Sequence, residues 1–141
     1  MNRTVSFAKV RSRLALIWGV GFLLHFALFA VLSITTFQNH LLEAWGWFSA
    51  TTLPTLGVIL GSTLVRDKRS PRSVAGSAAQ VAAIASVFYL ALVLLVSVAW
   101  AWTSAAPLDW YKTSAGLLAP VQGIVSGLIG RFLANRDPGA A

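Results

Sequence analysis

The sequence predicts an all-α integral membrane protein whose four transmembrane helices form two hairpins. Three observations predict it. Of 141 residues, 57% are hydrophobic and only 11% are charged, whereas a soluble domain carries about 25% charged residues. Four apolar runs, 14–36, 45–65, 81–103 and 113–133, each match the ~20 residues that a helix needs to cross a bilayer core of ~30 Å. Basic residues then fall in alternate gaps between the runs, which is the charge bias that orients membrane helices.

The elements follow in order. Residues 1–13 form a basic tail with Arg3, Lys9, Arg11 and Arg13. The run after it is too long for a cleaved leader, and no small-residue cleavage site follows, so it reads as an uncleaved first helix. The first hairpin spans 14–66 and turns through a short outer loop at 37–44. A basic loop, 67–80, follows, with Arg66, Lys68, Arg69 and Arg72 at its start and Pro71 and Gly76 within it. The second hairpin spans 81–133 and turns through 104–112. A tail, 134–141, closes the chain with Arg136, just after Arg131 at the end of the fourth run. Ten of the eleven Lys and Arg residues lie on one side, and Lys112 is the other. This places both termini and the 67–80 loop in the cytoplasm, and the chain in a plasma (inner) membrane as a multi-pass protein. Trp45, Trp47, Trp100, Trp102 and Trp110 cluster at the opposite ends of the runs, where amphipathic rings favour the headgroup level.

The even-numbered helices share a pattern. At an offset of 66, Pro54 meets Pro120, Gly57 meets Gly123, and Gly61 meets Gly127, and an acidic residue precedes each proline by eleven positions (Glu43 and Asp109). A parallel internal repeat of hairpins accounts for this spacing, with its axis along the membrane normal. Each proline removes a backbone donor and frees the carbonyl four residues back, so Pro54 and Pro120 are kink positions. Lipid cannot serve a freed carbonyl. Thr51, Thr52 and Thr55 surround Pro54, and Gln122 lies beside Pro120. The threonines are placed to cover the freed carbonyl of helix 2.

Small residues share a helical face with each proline: Gly57 and Gly61 in helix 2, and Gly116, Gly123, Gly127 and Gly130 in helix 4. Such faces bring helices together in lipid. They suit either helix 2 on helix 4 or one subunit on another, hence a homo-oligomer. Helix 1 carries the bulky stripe Trp18, Phe22, Phe26 and Phe29, which suits lipid or a groove. His25 is the single titratable side chain in any helix centre and a functional suspect on that ground.

The functional expectation is a non-enzymatic protein that self-assembles through the Gly/Pro faces of helices 2 and 4. It forms or gates a pathway across the bilayer, as a channel or a membrane-perturbing effector. His25, Thr51, Thr52, Thr55 and Gln122 are the pathway or gate candidates. The alternative is a membrane anchor or assembly subunit. It recruits a cytoplasmic protein partner, or binds membrane lipid, through Arg66, Lys68, Arg69 and Arg72. The absence of cysteine removes disulfides and thiol chemistry. No cofactor, metal or nucleic acid is expected, because no metal-ligand spacing, phosphate loop or soluble domain is present. His40, Glu43 and Asp109 could meet on the outer side, which is slight evidence for catalysis.

Overall fold

A computed structural model of the chain describes residues 4–64 and 73–134. Strand β1 (Thr4–Ser6) leads into helix α1 (Phe7–Thr35), and a tight turn leads to α2 (Leu41–Leu64). Strand β2 (Ser73–Ala75) precedes α3 (Gly76–Ala99), a single 3₁₀ turn at Trp100–Trp102, and α4 (Pro107–Ala134). The helices form a ring in which α1 touches α2 and α3, and α4 touches the same two. The architecture is all-helical apart from β1 and β2, which pair antiparallel with Val5 opposite Val74.

Among the described residues, three helices are long and apolar enough to cross a membrane: Phe7–Thr35, Gly76–Trp102 and Pro107–Leu133. At 24 residues, α2 is shorter than these but still exceeds the ~20 residues that a crossing needs. Thr51, Thr52, Pro54 and Thr55 dilute its apolar character, and it is not among the three. The bundle is apolar outside as well as inside. Leu16, Leu23, Ile34, Phe88, Leu117 and Ile124 are exposed, while Ser86, Ser97, Thr52 and Thr55 are buried. A helix in water would show the opposite arrangement.

Helix α1 begins seven residues before the apolar run, inside the expected basic tail. Phe7, Val10 and Leu14 explain why. Spaced at i, i+3 and i+7, they form one face and pack with Ala79, Ala82 and Phe132. Lys9 and Arg13 take the exposed side of the same turns. Arg11 reaches across and donates to the Ser62 carbonyl at 3.0 Å, where the negative end of the α2 dipole favours a cation. The turns within the two hairpins are also shorter than expected. Phe37 folds back into the core, and its N–H donates to Leu32 O at 3.0 Å. Pro107 starts α4 at a position where its missing N–H costs nothing.

Aromatic rings fill the half of the bundle nearest the turns within the two hairpins. Trp47 stacks on Tyr111 at 4.4 Å, and Phe29 stacks on both at 5.6 and 5.7 Å. Trp47 is therefore a core residue, and so is Trp18, which stacks on Tyr89 at 6.0 Å. The bulky stripe of α1 divides. Trp18 and Phe29 are fully buried, whereas Phe22 and Phe26 lean on Phe48 and Trp45 of α2. Aromatic pairing of this kind adds to area burial by ~0.5–1.5 kcal/mol per pair.

Candidate functional site: a polar junction around Pro54

Pro54 lies inside a continuous helix. Its missing N–H leaves the Ala50 carbonyl without its usual donor, and its ring crowds that same carbonyl, one residue before the carbonyl of Thr51. Both carbonyls are served from other helices. Gln122 Nε2 of α4 donates to Ala50 O and to Thr51 O, each at 3.1 Å. The Tyr89 hydroxyl of α3 donates to Thr51 O at 2.7 Å. Beside them, the hydroxyls of Thr55 and Ser126 share a bond of 2.6 Å between α2 and α4. Three helices thus converge on one proline.

The threonines act differently from the sequence expectation. Thr51 Oγ1 donates to Trp47 O and Phe48 O, and Thr52 Oγ1 donates to Phe48 O. Those carbonyls lie a turn before the break. A threonine side chain reaches three or four residues back along its own helix, so neither residue 51 nor 52 can meet a carbonyl at 50 or 51. The freed group needs a longer side chain from a neighbour, and Gln122 supplies it. Tyr89 and Ser126 are the residues that sequence reasoning missed. A tyrosine in the centre of an apolar helix was the available signal, since a buried hydroxyl requires a partner.

Pro120 is not the equal of Pro54 in this respect. Its freed carbonyl belongs to Gly116, which is exposed. Among the described residues no side chain donates to it.

The glycines also depart from one expectation. A Cβ added at Gly57, Gly61, Gly116, Gly123, Gly127 or Gly130 would meet nothing within 4 Å. These glycines do not pack α2 against α4. They face outward with Pro54 and Pro120, which are likewise exposed. Ala50 borders α4 through Gln122, and Gly123 and Gly127 adjoin Gln122 and Ser126 on the α2 side of α4. The two small-residue stripes therefore flank the outer seam between α2 and α4. Gly21, in contrast, lies where α1 meets α3. A Cβ there would stand 2.6 Å from Leu90 Cδ1.

His25 is buried in α1, 2% exposed. Its Nδ1 donates to the Gly21 carbonyl at 2.8 Å. Its Nε2 and the indole nitrogens of Trp18, Trp47 and Trp100 are buried without a partner in the bundle. His25 is not part of the Pro54 junction by any bond.

At the starts of α2 and α4, His40 Nδ1 lies 3.6 Å from Glu43 Oε1, and Lys112 Nζ lies 3.3 Å from Glu43 Oε2. Lys112 lowers the Glu43 carboxyl below its ordinary value, by hydrogen bonding first and by charge second. Asp109 takes no part in these two ion pairs. Among the described residues no group of three His, Cys, Asp or Glu could hold a metal ion. Arg66, Lys68, Arg69 and Arg72 lie outside the described residues, as does the tail beyond residue 134.

Compared with protein-family models, with curated proteins and with solved structures, the chain matches none. The class is defined by the fold itself: a helical membrane protein with an apolar exterior and a hydrogen-bonded junction among α2, α3 and α4.

Proposed function

We propose that the protein is a non-enzymatic, self-assembling membrane subunit of the plasma (inner) membrane. All four helices cross the bilayer as two hairpins with both termini cytoplasmic, and the matching prolines of α2 and α4 reflect a duplicated hairpin. Copies associate through the α2–α4 face, and a pathway across the bilayer runs between copies. The observation that carries this reading is the outward placement of both small-residue stripes along one seam, with open space at every one of their glycines. Small residues let backbones of separate helices approach, and a second copy would also bring donors near the uncovered Gly116 carbonyl.

The interior supports placing the pathway between copies. Thr51, Thr52 and Thr55 are no more than 4% exposed, and their hydroxyls are bonded within the bundle. Packed Ile59, Leu118, Val125 and Ile129 fill the space beside them. That closed interior favours one second reading, a membrane anchor or assembly subunit that docks a cytoplasmic partner through Arg66, Lys68, Arg69 and Arg72.

The chain lacks cysteine, so single cysteines report contacts cleanly. Gly57→Cys and Gly123→Cys should cross-link between copies in liposomes, and Leu23→Cys on α1 should not. The same liposomes should release trapped ions, and Gly123→Leu should abolish release and cross-linking together. No cross-linking at either glycine would end the assembly reading. Cross-linking without flux would end the pathway and leave the anchor.

A further inference from the structure

A second seam, between α1 and α3, lies across the ring from the α2–α4 seam. It holds two clefts. The first, of about 370 Å³, lies at the basic end and is lined by Lys9, Arg13, Gln80 and the start of α3 at Gly76 and Ala79. The second, of about 430 Å³, begins one turn further along each helix and is lined by apolar side chains such as Leu16, Val20, Leu24, Val87, Ala91 and Leu94. Their positions follow one another at helical spacing. On α1 the series runs Lys9, Arg13, Leu16, Val20, Leu24, and on α3 it runs Gly76, Gln80, Ala83, Val87, Ala91, Leu94. Residues three and four apart share a face, so the clefts are two parts of one groove.

We infer that this groove binds an anionic phospholipid, with its phosphate in the basic cleft and one acyl chain along the apolar one. Charge argues for the phosphate. Lys9 and Arg13 are exposed, and the carboxylates among the described residues, Glu43 and Asp109, sit at the starts of α2 and α4, at the other end of the bundle. The start of α3 has no side-chain cap and no acidic residue in its first turn. Its free N–H groups and dipole add positive character to the same cleft. Length argues for the chain. From Arg13 to Leu24 the helix rises ~17 Å, close to the ~15 Å of hydrocarbon in one leaflet. A free anion would leave the apolar part of the groove unused. A neutral lipid would leave the two cations without a counter-charge. This inference needs only that α1 and α3 lie in a bilayer, and it is independent of how copies associate.

The test uses the full-length protein in mild detergent, offered equal amounts of phosphatidylglycerol and phosphatidylcholine with the same chains. Native mass spectrometry reads what stays bound, on monomers and oligomers separately. Phosphatidylglycerol should be retained preferentially, and inorganic phosphate should not displace it. The pair Lys9→Gln and Arg13→Gln should weaken retention about thirtyfold, from two juxtamembrane cations. Arg131→Gln, an exposed cation on α4, should leave retention unchanged. Ala91→Phe should fill the groove and reduce retention with both cations intact. Circular dichroism checks each variant, and Arg13→Gln alone replaces the pair if helix content falls. Equal retention of the two lipids, displacement by phosphate, an equal loss from Arg131→Gln, or no effect of Ala91→Phe would each overturn the inference.

Discussion

Gln122 of α4 donates from Nε2 to the Ala50 carbonyl of α2 at 3.1 Å, and Ala50 is the residue whose carbonyl Pro54 deprives of its donor. The proline and the glutamine are therefore one device, built from two helices. Helix α2 can carry a proline in an apolar setting because α4 brings the missing N–H.

The first prediction tests that coupling. Gln122→Leu should destabilise the bundle by about 0.5–2 kcal/mol, the range for a hydrogen bond between membrane helices. Pro54→Ala restores the N–H at position 54, so Gln122→Leu should cost much less in that background. Unfolding in mixed micelles, run as a double-mutant cycle, reads the difference. Additive effects would show that Gln122 does not serve the carbonyl freed by Pro54.

Gly21 gives the second prediction. A Cβ there would stand 2.6 Å from Leu90 Cδ1, and Leu90 is buried. Gly21→Val should cost about 1–3 kcal/mol from overpacking. Leu90→Ala should recover part of that loss when combined with it. Thermal unfolding of the single and double variants decides, and equal losses in the two backgrounds would remove the contact.

The outward glycines give the opposite sign. Nothing lies within 4 Å of a Cβ added at Gly57 or Gly127. Alanine there removes backbone freedom from the unfolded chain without a clash, and should stabilise the dissociated bundle by about 0.5–1 kcal/mol. Micelle unfolding at low protein concentration measures it. A loss of stability would place a contact where the bundle has open space.

The fourth prediction concerns pH. Lys112 depresses the Glu43 carboxyl in the folded protein, outside the apolar run of α2. A carboxyl lowered on folding contributes stability that is present above its unfolded value. That contribution is lost as pH falls through the folded value. The pair is exposed on both sides, so the effect on stability is small. Lys112→Met should move the Glu43 midpoint upward, toward that of an unpaired glutamate. Carboxyl carbon shifts in an NMR titration read this directly, and an unmoved midpoint would mean that the pair is rarely formed.

Composition made the helical membrane class legible, since so few charges and such long apolar runs leave no other outlet for the chain. The inner turn of α1 was not legible as helix. Lys9, Arg11 and Arg13 broke the apolar run, although Phe7, Val10 and Leu14 carried the helical spacing through it. Polar residues at mid-depth were visible, but their bonds were not. Spacing within one helix says which residues share a face, and nothing about which carbonyl of another helix stands opposite. Gln122 was therefore seen beside Pro120 and found to serve Pro54. The same limit applies to glycine, because a small residue suits a close contact and an open face equally well. Gly21, outside any stripe, makes the close contact that the stripes do not.

The ladder between Thr4–Ser6 and Ser73–Ala75 has a consequence for synthesis. Strand β1 is made before α1, and its partner β2 emerges only after the whole first hairpin. Growing at ~5–20 residues per second, the chain keeps β1 without its backbone partner for several seconds. The amino end of α1 is then fastened by the segment that leads into α3, so β1 finds its place only after the hairpin that follows it.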